Sequence, residues 1–303
     1  MHNPLRIGTR DSALAIWQAN TLQSLLEKIG IKSVLIPIKS EGDLNLTQPL
    51  YTMGTTGIFT KTLDVALLNN QIDIAIHSMK DVPTLLPKGI VQAAVLKRGE
   101  TEDVMIWKNH NSQSKETKII ATGSLRRKAQ WLSEHPKDKV VPLRGNIQTR
   151  LEKLHKSDWD GAIFAAAALK RLELIEEHVE PLIDMLPAPA QGALMIVCRS
   201  EDNVLKQKIN TINHSDSALC TQIERDFLRT LEGGCTAPIG ALATVKDGMI
   251  YFKGGLYSLI GSQKEEIDVV FPLSQVDGKG ASLATSLLNQ GGGKLMKEYK
   301  QNS

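Results

Sequence analysis

The run Ile72-Asp73-Ile74-Ala75-Ile76-His77-Ser78-Met79-Lys80-Asp81-Val82-Pro83 passes directly from an apolar stretch into a polar one. Ile72 to Ile76 reads as a buried strand, because a short apolar run ended by polar and turn-forming residues suits a strand covered on both faces. His77 to Asp81 then fall at that strand's carboxyl end, where open α/β sheets place their ligands. Upstream, Phe59, Leu63, Ala66 and Leu67 recur at helical spacing. Leu5 to Thr9 and Val34 to Ile38 read as strands flanking a helix with the apolar stripe Leu22, Leu25, Leu26 and Ile29, capped by Asp11 or Ser12 and stopped by Gly30. Strands alternating with amphipathic helices indicate α/β layers.

A second block begins near Thr101, after a strand over Val91 to Leu96, and repeats the pattern. Ile119 to Thr122 precedes Gly123-Ser124-Leu125-Arg126-Arg127 at a helix start, Val140 to Leu143 precedes Arg144-Gly145-Asn146 at another, and Ala162 to Ala165 makes a further strand. The polar run Asn109 to Lys118 reads as a mobile loop. Leu186-Pro187-Ala188-Pro189-Ala190 cannot continue a helix and reads as a connection between domains. Beyond it come a strand from Leu194 to Cys198 and two helices within Asn203 to Arg229. Strands from Ile239 to Pro272 follow, turning at Lys246-Asp247-Gly248 and Gly261-Ser262, and a helix over Leu283 to Leu288 closes a small α+β domain.

Bulk properties exclude several classes. A chain of 303 residues, 42% hydrophobic and 23% charged, is an ordinary globular sequence too long for one small core. The net charge of +3 does not mark a nucleic-acid binder, no apolar run reaches membrane-span length, and Pro4, Arg6 and Arg10 interrupt any secretory segment. A cytoplasmic location is the expectation, with no membrane and no nucleic-acid partner. Cys198, Cys220 and Cys235 have neither zinc-site spacing nor the even count of a disulfide framework, so no metal is expected.

The chemistry gathers on arginines that follow strands: Arg10, Arg126, Arg127, Arg144 and Arg150. Helix N-termini favour anions, and a guanidinium grips a carboxylate or phosphate at two points, so the pattern suits a small, highly anionic ligand in one cleft. Taken singly, each arginine is equally compatible with a solvated surface. The adjacent pair Arg126-Arg127 needs a compensating anion, because two cations at a helix start oppose its dipole. Asp81 can act as an acid or base, or can serve only as a helix cap before Pro83. Leu231-Glu232-Gly233-Gly234-Cys235 leaves a thiol after two glycines, accessible as a nucleophile, although two glycines also simply stop helices.

Together, six motifs resemble, in order and spacing, those of porphobilinogen deaminases. They are His77 to Pro83, Ser124 to Arg127, Leu143 to Asn146 with Thr149-Arg150, Leu169 to Leu172, Gln191-Gly192-Ala193 and Leu231 to Cys235. Each is weak alone and the set is specific. The resemblance implies two α/β domains like those of periplasmic binding proteins around a cleft, plus a small α+β C-terminal domain. Domain 1 would comprise 1–98 and 194–213, domain 2 101–190, and domain 3 214–303.

The resemblance also implies a transferase, hydroxymethylbilane synthase, of tetrapyrrole and haem biosynthesis, monomeric and acting on porphobilinogen and its growing chain. Cys235 would hold a dipyrromethane cofactor through a thioether, and Ser78, Lys80, Asp81, Thr122, Ser124, Arg126 and Arg127 would seat it. Arg10, Ser12, Arg144, Arg150 and Arg171 would bind substrate or chain, and Asp81 would be catalytic, stabilising positive charge as ammonia leaves and rings couple. Four additions and hydrolysis would give hydroxymethylbilane. Three positions depart from the pattern: Thr56 replaces a usual lysine, Lys61-Thr62-Leu63-Asp64 a more acidic segment, and Ala168 a glycine. A two-lobed binding protein would share the arginines without needing the cysteine anchor, and a nucleic-acid binder would need a longer basic stripe.

Overall fold

The computed structural model describes residues 3–39, 60–231 and 237–302. They fall into two compact units: 3–39, 60–99 and 192–219 form the first, and 100–191, 220–231 and 237–302 the second. Strands are numbered β1 to β13 in chain order.

The first unit is built on β1 (Leu5–Thr9), β2 (Ser33–Pro37), β3 (Ile74–Ser78), β4 (Ile90–Val95) and the returning β10 (Leu194–Arg199). Their order is β2-β1-β3-β10-β4. β1 runs parallel to β2 and β3, whereas β10 is antiparallel to both its neighbours. The Ala13–Lys28 helix starts on Ser12, whose Oγ accepts from Ala15 N at 3.4 Å. It ends at Gly30 (φ +76°), where the amides of Gly30 and Ile31 bond back to Glu27 and Leu26. Its inner stripe, Ala19, Leu22 and Leu26, is wholly buried with Ile7, Ile74 and Ile196. Burying such side chains contributes roughly 1.5–3 kcal/mol each and fixes where the strands end.

The strand expected at Ile72 starts at Ile74. Asn70 takes a left-handed φ of 57°, and Ile72 N bonds to Ala66 O, so Ile72 is buried in closing the Lys61–Leu68 helix rather than in the ladder.

The second unit holds β5 (Asp103–Trp107), β6 (Ile119–Ala121), β7 (Lys139–Val141), β8 (Gly161–Ala165) and β9 (Val179–Leu182) in the order β7-β6-β8-β5-β9. β6 is parallel to β7 and β8; β5 is antiparallel to β8 and β9. Sequence reading did not single out β5 or β9: β9 is a mostly exposed edge strand, and β5 opens with a charged residue. Part of the expected 109–118 loop is folded, with Asn109 capping a His110–Gln113 turn that buries Ser112.

β11 (Ile239–Lys246), β12 (Met249–Tyr257) and β13 (Lys264–Pro272) form a separate antiparallel sheet in the same unit. Asp247 and Gly248, both at positive φ, make the two-residue turn between β11 and β12. Phe227, on the Ser215–Thr230 helix, meets Phe252 edge-on at 5.1 Å. The architecture is α/β with two five-stranded mixed sheets and a smaller C-terminal sheet-and-helix portion. Among the described residues no helix is long and apolar enough to cross a membrane.

Candidate functional site

In the first unit the carboxyl ends of β1 and β3 open onto a polar hollow lined by Arg10, Ser12, Gln18, His77, Ser78 and Asp81, among others. β1 delivers Arg10 and the cap Ser12. β3 delivers His77 and Ser78, and then a tight turn over Met79–Asp81. Met79 and Val82 anchor that turn in the core at 1% and 2% exposure, and Met79 N bonds to Ala193 O from the approach to β10. Asp81 is thereby held at the surface, with no partner for its carboxylate among the described residues. Lys80 beside it is half-buried.

In the second unit Ser124 caps the Leu125–Glu134 helix, accepting from Arg127 N at 3.4 Å, and Thr122 Oγ1 accepts from Ser124 N at 3.2 Å. The anion that the paired arginines require is the protein's own Asp103. Arg127 Nη2 and Nε lie 2.7 and 3.1 Å from Asp103 Oδ1, and Arg126 Nη2 lies 2.7 Å from Oδ2. Gln191 Nε2 adds a bond of 2.9 Å to Oδ1. Backbone carbonyls of Ile163 and Leu186 take a further N–H of Arg127 and Arg126 respectively. Asp103 is 0% exposed and the arginines 6% and 4%. Two guanidinium groups against one carboxylate leave a single positive charge over. Burial pulls the Arg126 pKa down and Asp103 opposes the shift. The connection at Leu186 is pinned into this cluster rather than hanging as a spacer, since Leu186 N also bonds to Gln130 Oε1 at 2.8 Å.

Arg144 and Arg150 flank Gly145 (φ +114°), whose carbonyl accepts from Arg150 Nε at 2.7 Å. Asn146 then caps the Ile147–Lys156 helix through Thr149 N. Burial lowers the Arg144 pKa; for Arg171, at the end of the Ala166–Arg171 helix, burial lowers it against the pull of Glu100. Among the predicted residues, then, Arg10, Ser12, Ser78 and Asp81 share one hollow, and Arg126 and Arg127 share one buried anion. Cys235 and Thr56 lie outside the described residues. Sequence reading missed Asp103 and Gln18, and took His77, alone, for a satisfied structural histidine rather than a catalyst, whereas its Nε2 has no partner among the described residues. The only available signal for Asp103 was the need for an anion near Arg126-Arg127.

Ser12, Ser78, Thr122 and Ser124 have one property in common. Each hydroxyl oxygen already accepts from a protein N–H, of Ala15, Gln18, Ser124 and Arg127 respectively, and none has an acceptor for its own hydrogen among the described residues. Each therefore offers an O–H to a ligand. Such donors suit carboxylates, and the Asp81 carboxylate suits ring N–H groups or a cation. In the first-unit hollow, Ser12, Ser78 and Asp81 together fit a molecule bearing both.

Residues 5–207 match the family described as "Porphobilinogen deaminase, dipyromethane cofactor binding domain", and residues 218–289 match "Porphobilinogen deaminase, C-terminal domain". The chain belongs to the porphobilinogen deaminase family. The porphobilinogen deaminase of Syntrophotalea carbinolica is 40% identical over 298 residues, covering 96% of this chain and 95% of that one. Those of Syntrophomonas wolfei and Geobacter sulfurreducens are 40% and 39% identical, over 98% and 99% of this chain and 99% and 96% of theirs. Among solved structures, an ancestral cationic amino acid solute binding protein aligns with a TM-score of 0.45 at 15% identity, covering 69% of this chain and 87% of that one. The Bordetella pertussis BvgS periplasmic VFT2 domain aligns at 0.44 and 10%, covering 70% and 87%. For a porphobilinogen deaminase, the donor hydroxyls and Asp81 lie within the portion matched to the cofactor-binding domain.

Proposed function

We propose that this protein is a transferase that joins four porphobilinogen molecules head to tail, releasing ammonia at each addition, and that water then frees the chain as hydroxymethylbilane for tetrapyrrole biosynthesis. The observation that carries the reading is the first-unit hollow, where the Ser12 and Ser78 hydroxyls accept internal N–H bonds and keep their own hydrogens to give, beside an Asp81 carboxylate with no partner among the described residues. A ligand rich in carboxylates and pyrrole N–H groups satisfies both.

Dipyrromethane, joined to Cys235, supplies the primer ring to which substrate is added. Ser78, Lys80, Asp81, Thr122 and Ser124 hold it by hydrogen bonds and charge. Arg126 and Arg127 contribute the single positive charge left over beside Asp103, and they fix the helix that presents Ser124. Arg10, Ser12, Arg144, Arg150 and Arg171 hold the carboxylates of substrate and chain, since fixed cations retain a polyanion while it lengthens. Asp81 accepts pyrrole N–H bonds and stabilises the positive charge that develops on the substrate ring as ammonia departs, so it acts in the transition state more than in binding. The protein works as a cytoplasmic monomer in which 214–303 acts as a third domain.

The test is to supply purified protein with porphobilinogen, follow ammonia and hydroxymethylbilane, and weigh the intact chain. Product together with an added mass of two linked pyrroles, both lost in Cys235→Ser, is the expected result. An unadorned wild-type chain that consumes no porphobilinogen would overturn the reading.

A further inference from the structure

One group in the first-unit hollow has no part in the chemistry above. His77 is 6% exposed and borders the hollow beside Arg10, Ser12, Ser78 and Asp81. Its Nε2 is buried without a hydrogen-bond partner among the described residues. Native proteins rarely leave such an atom unmet, because a buried polar group without a partner keeps its full desolvation cost. The fold does not require an imidazole here, since β3 pairs with β10 at this point through backbone groups opposite Met195, and an apolar side chain would fill the position without that cost.

The surroundings indicate what Nε2 meets. The hydroxyls of Ser12 and Ser78 have their oxygens engaged and their hydrogens to give. Arg10 adds a cation, and the first turn of the 16-residue Ala13–Lys28 helix lines the same space through Leu14 and Ala15. Apart from the exposed Asp81, the charged group of the hollow is the cation Arg10, and the Ser12 and Ser78 hydroxyls beside it have hydrogens to give, so the missing group is an acceptor with negative charge. Burial, aided by the charge of Arg10, pushes the His77 pKa down to about 4. At neutral pH the ring is therefore uncharged, with one nitrogen carrying hydrogen.

We infer that His77 donates a hydrogen bond from Nε2–H to a carboxylate of porphobilinogen bound in this hollow, giving direction to the attraction that Arg10 supplies. This rests on the functional reading above. It makes His77 a binding residue whose effect falls on KM and leaves kcat largely alone.

Three variants of the holoenzyme test it. His77→Gln sets an amide N–H near the place of Nε2, His77→Asn sets one only near Nδ1, and His77→Phe fills the space without a donor. A lost bond to a charged group corresponds to a roughly 10- to 100-fold rise in KM for Asn and Phe. Gln should restore most of it, with kcat within about threefold throughout. Unchanged KM in Asn and Phe, or Gln no better than Asn, overturns the inference while wild-type turnover leaves the functional reading standing. Absence of hydroxymethylbilane from the wild type overturns both. If Phe fails to fold, the Gln and Asn pair still decides. Independently, nitrogen-15 NMR of the resting holoenzyme should show the His77 ring, assigned by its loss in His77→Gln, as the Nε2–H tautomer at pH 7. An Nδ1–H or doubly protonated ring contradicts the inference.

Discussion

Asp64 and Asp103 are buried carboxylates in different units, at 8% and 0% exposure, and they are held in opposite ways. Asp103 faces two guanidinium groups and the amide of Gln191, so its charge is matched inside the protein. For Asp64 the hydrogen bond with the Thr60 side chain pulls the pKa down, but desolvation prevails, raising it to about 6. The contrast extends to the neighbouring sites. In the second unit the conspicuous arginine pair is half neutralised internally, one positive charge remaining, and it also fixes the helix that Ser124 caps. In the first unit the Asp81 carboxylate and His77 Nε2 have no partner among the described residues, and we assign that place to a ligand. Charge that looks available in a sequence is available only where folding leaves it without an internal partner.

The largest expected effect comes from breaking the matched carboxylate. Asp103→Asn leaves two buried cations facing a neutral amide, and should lower stability in denaturant titration by about 3–5 kcal/mol, with activity falling as the Ser124 helix start loosens. An unchanged midpoint would mean that the buried cluster contributes nothing net. Removing the unmatched carboxylate should do the reverse: Asp81→Ala keeps its melting temperature and porphobilinogen binding but loses roughly 100- to 1000-fold in kcat. Normal turnover in that variant would remove Asp81 from the chemistry.

The smallest effect concerns Asp64. Its folded pKa lies above the unfolded value, so between about pH 4 and 6 the folded state binds more protons, and stability falls as pH rises through that window. Asp64→Asn should therefore melt higher than wild type at pH 7 by about 2–4 °C, with the gain fading below pH 4. A gain that persists at low pH would trace to something other than the charge.

The sequence carried most of the strand ends, because local signals mark them: Ser12, Ser124 and Asn146 cap helices where side-chain oxygens could be foreseen to accept N–H groups. β5 escaped because its first residue, Asp103, is charged and yet wholly buried, and contacts from Arg126, Arg127 and Gln191, more than twenty positions away, make that tolerable. The onset of β3 was misplaced by two residues, since Ile72 is as apolar as a strand residue but is buried by closing a helix.

Residue order alone determined the alternation of strands and helices, the family motifs, and the placement of Ser78 and Asp81 at a strand's carboxyl end, because these depend on spacing and capping within a few positions. Tertiary structure alone decided which charges remain for a ligand. Pairing Arg126 and Arg127 with Asp103, or stranding His77 Nε2 beside Arg10, depends on contacts between distant segments, and burial sets the energy of a charge according to what those segments bring within about 3 Å.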